Sequence, residues 1–372
     1  MHFTLDRAAL LKPLAHVQSV VERRTTIPIL SNVMIQAGAG NVSISATDMD
    51  IDIVDSVPAE VKKKGAITCP AHTLHDIVRK LPDGSQVELV ASGDAGRVTL
   101  RAGRSTFTLQ TLPTEEFPAL SGDTLPHRFE LPAGDLRTLI DRTRFAISTE
   151  ETRYYLNGIY LHAAKQEGVD VLRAVATDGH RLARVEMALP EGAAGMPGVI
   201  IPRKAVAELR KLVDETSGAV SLSLSEAKIR FAFDGTILTS KLIDGTFPDY
   251  ERVIPVNNDK IMQVECKPFA EAVDRVATIS TEKSRAVKLA VATDMLTLSA
   301  SSPENGTATE EIEVKFAASP IEIGFNSRYL LDITQQIEGE GAEFVMADAA
   351  SPTIVRDPSD RSALYVIMPM RV

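Results

Sequence analysis

The segment Thr177-Asp178-Gly179-His180-Arg181 holds the side chains best suited to chemistry in this sequence. An aspartate two residues before a histidine could serve acid–base work. That makes a small-molecule-binding enzyme using Asp178, His180 and Arg181 the alternative functional reading. No nucleophile or metal-ligand cluster accompanies the segment at a diagnostic spacing, so a turn held by Asp and Gly is the simpler expectation. Asp48-Met49-Asp50-Ile51-Asp52 has the look of a calcium loop. Such a loop needs glycine sixth and glutamate twelfth, and the chain supplies Ile53 and Ala59. Alternation would instead set the three carboxylates on the solvent face of a strand. Gly38-Ala39-Gly40 reads as a hairpin turn. No phosphate-cradling or dinucleotide fingerprint occurs. Cys69 and Cys266 are too isolated for a disulfide scaffold or a zinc site. No cofactor and no metal are expected.

The elements that must carry these residues repeat. Ala46-Thr47-Asp48 recurs as Ala176-Thr177-Asp178, and Phe117-Pro118 as Phe247-Pro248, both 130 residues later. Ile67-Thr68-Cys69-Pro70 is echoed at Ile200-Ile201-Pro202. A weaker third copy runs through Ile321–Asn326 to Met368-Pro369. Six stretches show apolar residues at helical spacing: 6–22, 71–80, 134–147, 202–213, 267–277 and 327–337. Pro13 should kink the first or delay its start. Between them the period drops to two, as at Val42, Ile44 and Ala46, at Ile229, Phe231 and Phe233, and at Ile312, Val314 and Phe316. Hairpin breakers stand at 93–96 and Asp234-Gly235. The expectation is an α+β chain of three similar domains, each with two helices over antiparallel sheet. Their bounds are 1–121, 122–250 and 251–372, with linkers near Ser121-Gly122-Asp123 and Asp249-Tyr250-Glu251.

Forty basic against 50 acidic residues give a net charge of −10, yet the six helical stretches hold 14 basic and 9 acidic side chains. Lys and Arg are good helix formers on solvated faces, which is one explanation. The other is that the helices line one surface facing a polyanion, meeting phosphates without reading bases. Lys12, Arg79, Lys80, Arg137, Arg203, Lys204 and Arg210 are the candidates on those helices. The absence of tryptophan argues against a base-stacking platform. The N-terminus lacks the order of a signal peptide, and no apolar run approaches the ~20 residues of a membrane span. A cytoplasmic location without membrane partners is expected.

These features converge on a family. The chain resembles the bacterial DNA polymerase III beta subunit, the sliding clamp, through Phe3-Thr4-Leu5 to Pro13-Leu14, Thr26–Asn32, Arg153–Gly158, Ala176–Leu182, Ser240–Tyr250 and Met368–Val372. The resemblance covers essentially the whole length. It implies the DNA clamp fold and a noncatalytic processivity factor, a head-to-tail dimeric ring around duplex DNA with helices inside. Phe107 and Ile279 would lie at the joint between subunits. Arg24, Tyr154 and Tyr155 match DNA-contacting positions, although Glu150 stands where a glutamine is common. A peptide pocket is implied at Leu156, Thr177, Gly179, His180, Arg181, Leu182, Pro248, Arg252, Val253, Asn326, Tyr329, Met368, Pro369, Met370 and Arg371. Leu, Val, Pro and Met would form its slot, and His180, Arg181, Arg252 and Arg371 its polar rim. Partners implied are the polymerase III alpha subunit, the clamp loader, translesion polymerases and repair proteins, each through a short linear motif. Ala350, Pro352 and Val372 depart from common family residues. By type alone, Met368-Pro369-Met370 would be a buried terminal strand.

Overall fold

The computed structural model describes residues 1–91, 96–118, 124–281 and 285–371. The expected breaker at 93–95, the linker residues 121–123 and Val372 fall outside them. Six α-helices are present among the described residues: α1 (Arg7–Gln18), α2 (Ala71–Lys80), α3 (Ala133–Arg144), α4 (Arg203–Val213), α5 (Cys266–Ala277) and α6 (Ser327–Thr334). Each follows directly on a strand: His2–Asp6, Gly65–Pro70, His127–Pro132, Val199–Pro202, Lys260–Glu265 and Ile321–Asn326 respectively. The repeat in the sequence is therefore a strand-then-helix step, used six times.

The helices form where apolar residues recur three and four apart. Leu74 and Val78 of α2, Val206, Leu209 and Val213 of α4, and Phe269, Val273 and Val276 of α5 are all buried. Asp6 caps α1 by accepting from the Ala8 amide at 2.8 Å, and Asn326 caps α6 from Arg328 at 3.0 Å. Such caps contribute about 1 kcal/mol each. Contrary to expectation, α1 begins at Arg7 and runs through Pro13. Burial of Leu10, Pro13, Leu14 and Val17 offsets the hydrogen bond that proline cannot make. The helix stops at Gln18, earlier than residue 22, because the Val20 and Val21 amides bond three residues back. The strand over Ile312 stops at Glu313, and buried Val314 and Phe316 lie beyond it.

The chain forms two compact units. One comprises Met1–Arg137, Pro190–Met196 and Lys204–Leu242; the other Thr138–Leu189, Pro197–Arg203 and Ile243–Val372. The first unit has an eight-stranded antiparallel sheet whose centre pairs Thr236–Lys241 with Ile51–Pro58. Its five-stranded sheet ends on Ser105–Gln110. The second unit has an eight-stranded antiparallel sheet centred on Arg181–Ala188 against Asp360–Ile367, and a four-stranded sheet ending on Gly306–Glu313. Asp234 and Gly235 both have positive φ, 47° and 86°, as their hairpin requires. The stretch around Tyr250 is not a loose linker. Tyr250 is buried, its hydroxyl meets His162 and Arg173, and Phe247 stacks on Tyr160 at 4.8 Å. No helix among the described residues is long and apolar enough to cross a membrane.

Candidate functional site

The Thr177–Arg181 segment is a tight turn between strands Val169–Thr177 and Arg181–Ala188. Thr177 Oγ1 donates to the Arg181 carbonyl at 2.7 Å and accepts the Gly179 amide at 3.1 Å. Asp178 Oδ1 accepts the amides of His180 and Arg181 at 2.9 and 3.0 Å. Gly179 sits at φ +88°, the left-handed region glycine supplies cheaply. Asp178 is therefore spent on holding the turn, which does not support an acid–base role.

Thr47–Ile51 repeats this turn bond for bond. Thr47 Oγ1 donates to the Ile51 carbonyl at 2.8 Å, and Asp48 Oδ1 accepts the amides of Asp50 and Ile51 at 2.9 and 2.7 Å. The expected solvent-facing strand over Asp48–Asp52 is thus corrected, since the strand begins only at Ile51. Burial pushes the Asp48 carboxyl up, but the Lys204 ammonium and the two amides outweigh it and hold it below the usual range.

Arg181, expected on a polar rim, is buried instead. Its guanidinium donates to Asp178, Asp332 and the Phe145 carbonyl, and lies over the rings of Tyr329 at 4.4 Å and Phe145 at 5.1 Å. It fixes Tyr329, on which the exposed His180 ring stacks at 6.4 Å. Leu156 and Leu182 are also buried, in a cluster with Val175, Ile200, Phe247, Tyr250 and Val366. They form the floor under the turn. The strand Asp360–Ile367 pairs Val366 with Leu182 and ends there. Beyond it the tail is pinned at two points: the Met368 amide to the His180 carbonyl at 2.9 Å, and the Met370 amide to the Gly324 carbonyl at 2.7 Å. Met368 is therefore not part of a buried terminal strand; the residue is 39% exposed.

Turn, tail and Tyr329 thus lie together, joined by the His180 carbonyl, the His180 ring and the Arg181 guanidinium. Asn326 is committed to capping α6, and Arg252 pairs with Asp249 at 2.7 Å. Pro248 and Val253 are exposed on the segment that follows buried Phe247. Met370, Arg371 and Ala350 border an open cavity of about 800 Å³ over the four-stranded sheet. Pro369 is half-buried between the two pinned amides. Phe145 and Asp332 were not foreseen as part of this site. They reach Arg181 from 36 and 151 residues away, and no local pattern announces such contacts.

The candidate DNA residues divide by partner. Lys12 pairs with Glu215 at 3.2 Å, Arg79 with Asp76 at 3.3 Å, and Arg137 and Arg210 with Asp214 at 3.8 and 2.7 Å. Lys204 meets Asp48 and Glu22. Much of the helical positive charge is thus matched by neighbouring acids. Arg24, Lys80 and Arg203 are exposed and make no side-chain ion pair among the described residues. Tyr154 is exposed, edge-on to Tyr155 at 5.7 Å, while Tyr155 packs against the Leu156 cluster. Glu150 is taken by Arg153 at 2.6 and 2.8 Å. Phe107 lies on the edge strand Ser105–Gln110, and Ile279 just past α5, where its carbonyl accepts from Asn305.

Residues 1–121, 130–249 and 251–371 match the N-terminal, central and C-terminal domain models of the DNA polymerase III beta subunit. The beta sliding clamp of Caulobacter vibrioides is 57% identical over 372 residues, and that of Escherichia coli 38% over 375, each covering all of both chains. The crystal structure of the Caulobacter crescentus clamp, with a polyethylene glycol at its putative beta-motif tethering region, superposes with a TM-score of 0.98 over all of this chain and 99% of that one, at 57% identity. The Bartonella birtlesii clamp bound to griselimycin gives 0.97 at 50% identity, with both chains fully covered. With three domain models in order and relatives matched end to end, this chain belongs to the DNA polymerase III beta subunit family, the beta sliding clamps that serve as polymerase processivity factors.

Proposed function

We propose that the chain acts as a noncatalytic ring, built from three domains at 1–121, 122–250 and 251–372 and closed head to tail by a second copy through the Phe107 and Ile279 regions. The ring encircles duplex DNA in the cytoplasm and tethers the polymerase III alpha subunit, the clamp loader, translesion polymerases and repair proteins at the pocket. The observation that carries the tethering reading is the doubly pinned tail. It leaves Met368 exposed beside His180, next to a buried apolar floor. A methionine wall re-packs around differing ligands, which suits one slot shared by several short motifs.

For DNA, the supporting observation is the weakness of the cation pairs. Exposed pairs such as Lys12–Glu215 and Arg79–Asp76 contribute about 0–1 kcal/mol, so a phosphate displaces the acid at little cost. Attraction of that kind is nonspecific and screened by salt, as sliding demands. Arg24, Lys80 and Arg203 need no such exchange. Tyr154 adds an exposed ring in this reading.

Deleting Met368 through Val372 tests the pocket. The truncated protein should remain a dimer by native mass, bind no partner peptide and fail to stimulate polymerase. A truncation that dissociates the dimer would reassign the tail to assembly.

A further inference from the structure

His16, on α1 in the first compact unit, is nine-tenths buried yet meets two carboxylates. Its Nδ1 lies 2.5 Å from Asp55 Oδ2 on the strand Ile51–Pro58. Its Nε2 lies 3.1 Å from Glu215 Oε1, just beyond α4, but off the line of a hydrogen bond. A cavity of about 80 Å³, room for one or two waters, opens between them. The other charged groups facing this point are Lys12 of α1, 3.2 Å from Glu215, and Asp234 of the hairpin after Phe233. Glu208 of α4 is occupied by the Ser19 hydroxyl and by Lys211. A neutral imidazole has a single N–H and can serve one of the two carboxylates; an imidazolium carries an N–H on each ring nitrogen and a positive charge that attracts both.

The second unit builds the same joint with a different residue. His16 is the tenth residue of α1, and Arg142 is the tenth of α3. Arg142 joins Asp360 at 2.6 Å to Glu338, just beyond α6, at 3.1 Å. Its side chain is 11% exposed. A guanidinium keeps its charge at any physiological pH; an imidazole does not.

We propose that His16 is a pH-sensitive clasp in the first unit, tying the segment matched by the N-terminal family domain to the one matched by the central domain, where the second unit carries a permanent arginine clasp. Lys12, His16 and Asp55 fall in the first match, Glu215 and Asp234 in the second. Burial opposes the imidazolium, but Asp55 and Glu215 outweigh it and raise its pKa above the ordinary 6.5. The clasp's stabilisation is therefore complete below 6.5 and is lost as pH rises through the raised value. Alkaline conditions loosen this joint and leave the Arg142 joint closed. The inference does not depend on the DNA or peptide readings.

His16→Arg in the full-length protein separates the clasp from the other six histidines. Between about pH 6 and about pH 9 the wild-type melting temperature should fall by about 2–4 °C more than that of H16R. Amide exchange around Glu215, corrected for intrinsic rate, should quicken in wild type alone. Identical pH profiles for the two proteins would overturn the clasp. Should H16R not fold, His16→Gln replaces it. H16Q should melt below wild type at the acid end and converge with it at the alkaline end, and equal melting at both ends would overturn the proposal as well.

Discussion

Arg181 shows how surroundings decide a residue's work. By type it belongs on a polar rim, and the turn sequence beside it supports that. The guanidinium instead has Asp178, Asp332 and the Phe145 carbonyl as partners and two aromatic faces against it. The local half of that arrangement, an aspartate three residues earlier, was legible in the sequence. The rest was not, because it depends on which distant elements fold against the turn. Arg181→Ala leaves Asp332 without this partner in a largely enclosed site, and breaking such a pair costs about 3–5 kcal/mol. A calorimetric melt should show that loss, together with weaker peptide binding as Tyr329 comes adrift; an unchanged melt would return Arg181 to the rim. Arg24 offers the opposite case, an exposed residue that makes no side-chain ion pair among the described residues. Replacing it with alanine should lower the log–log salt slope of duplex binding by about 1. A slope equal to wild type would remove Arg24 from the DNA surface.

Among the elements, periodicity located all six helices to within a few residues, because each buries a regular stripe. The errors sit at ends and breakers, as with Pro13 in α1, where packing overrides local preference. The two Asp-held turns allow a comparison. Gly179 and Met49 occupy equivalent positions at φ +88° and +78°. A Cβ at 179 would also lie 2.5 Å from Arg153 Nη1. The left-handed region costs a residue with a side chain about 1–2 kcal/mol, so Gly179→Ala should destabilise by at least that. Met49→Gly should stabilise slightly, since relieving this strain outweighs the ~0.5–1 kcal/mol of added chain entropy. Melting temperatures that moved in the same direction for both variants would contradict the equivalence of the turns.

At the scale of the molecule, the threefold repeat was legible from recurring tripeptides, while the compact units were not. The strand Thr236–Lys241 pairs with Ile51–Pro58 across nearly 200 residues of chain, and no local pattern specifies that partnership. Charge was legible as a total while its pairing was not, because several helical cations meet acids from other segments. Ring closure makes the clearest whole-molecule prediction. Loaded protein should stay on circular plasmid and leave on linearisation, at salt concentrations where affinity alone would release it from either form. Equal loss from circular and linear DNA would contradict encirclement. The head-to-tail contact makes a further demand: an interface that rotated by the wrong angle would grow open filaments instead of closing. Native mass spectrometry of interface variants distinguishes the two products.

The doubly anchored tail carries a chemical liability. Its backbone is pinned at two points, but one of the side chains it exposes is a thioether, and peroxide converts that group into a polar sulfoxide. Mild oxidation should therefore silence partner recognition while the circular dichroism spectrum stays unchanged, and methionine sulfoxide reductase should restore it.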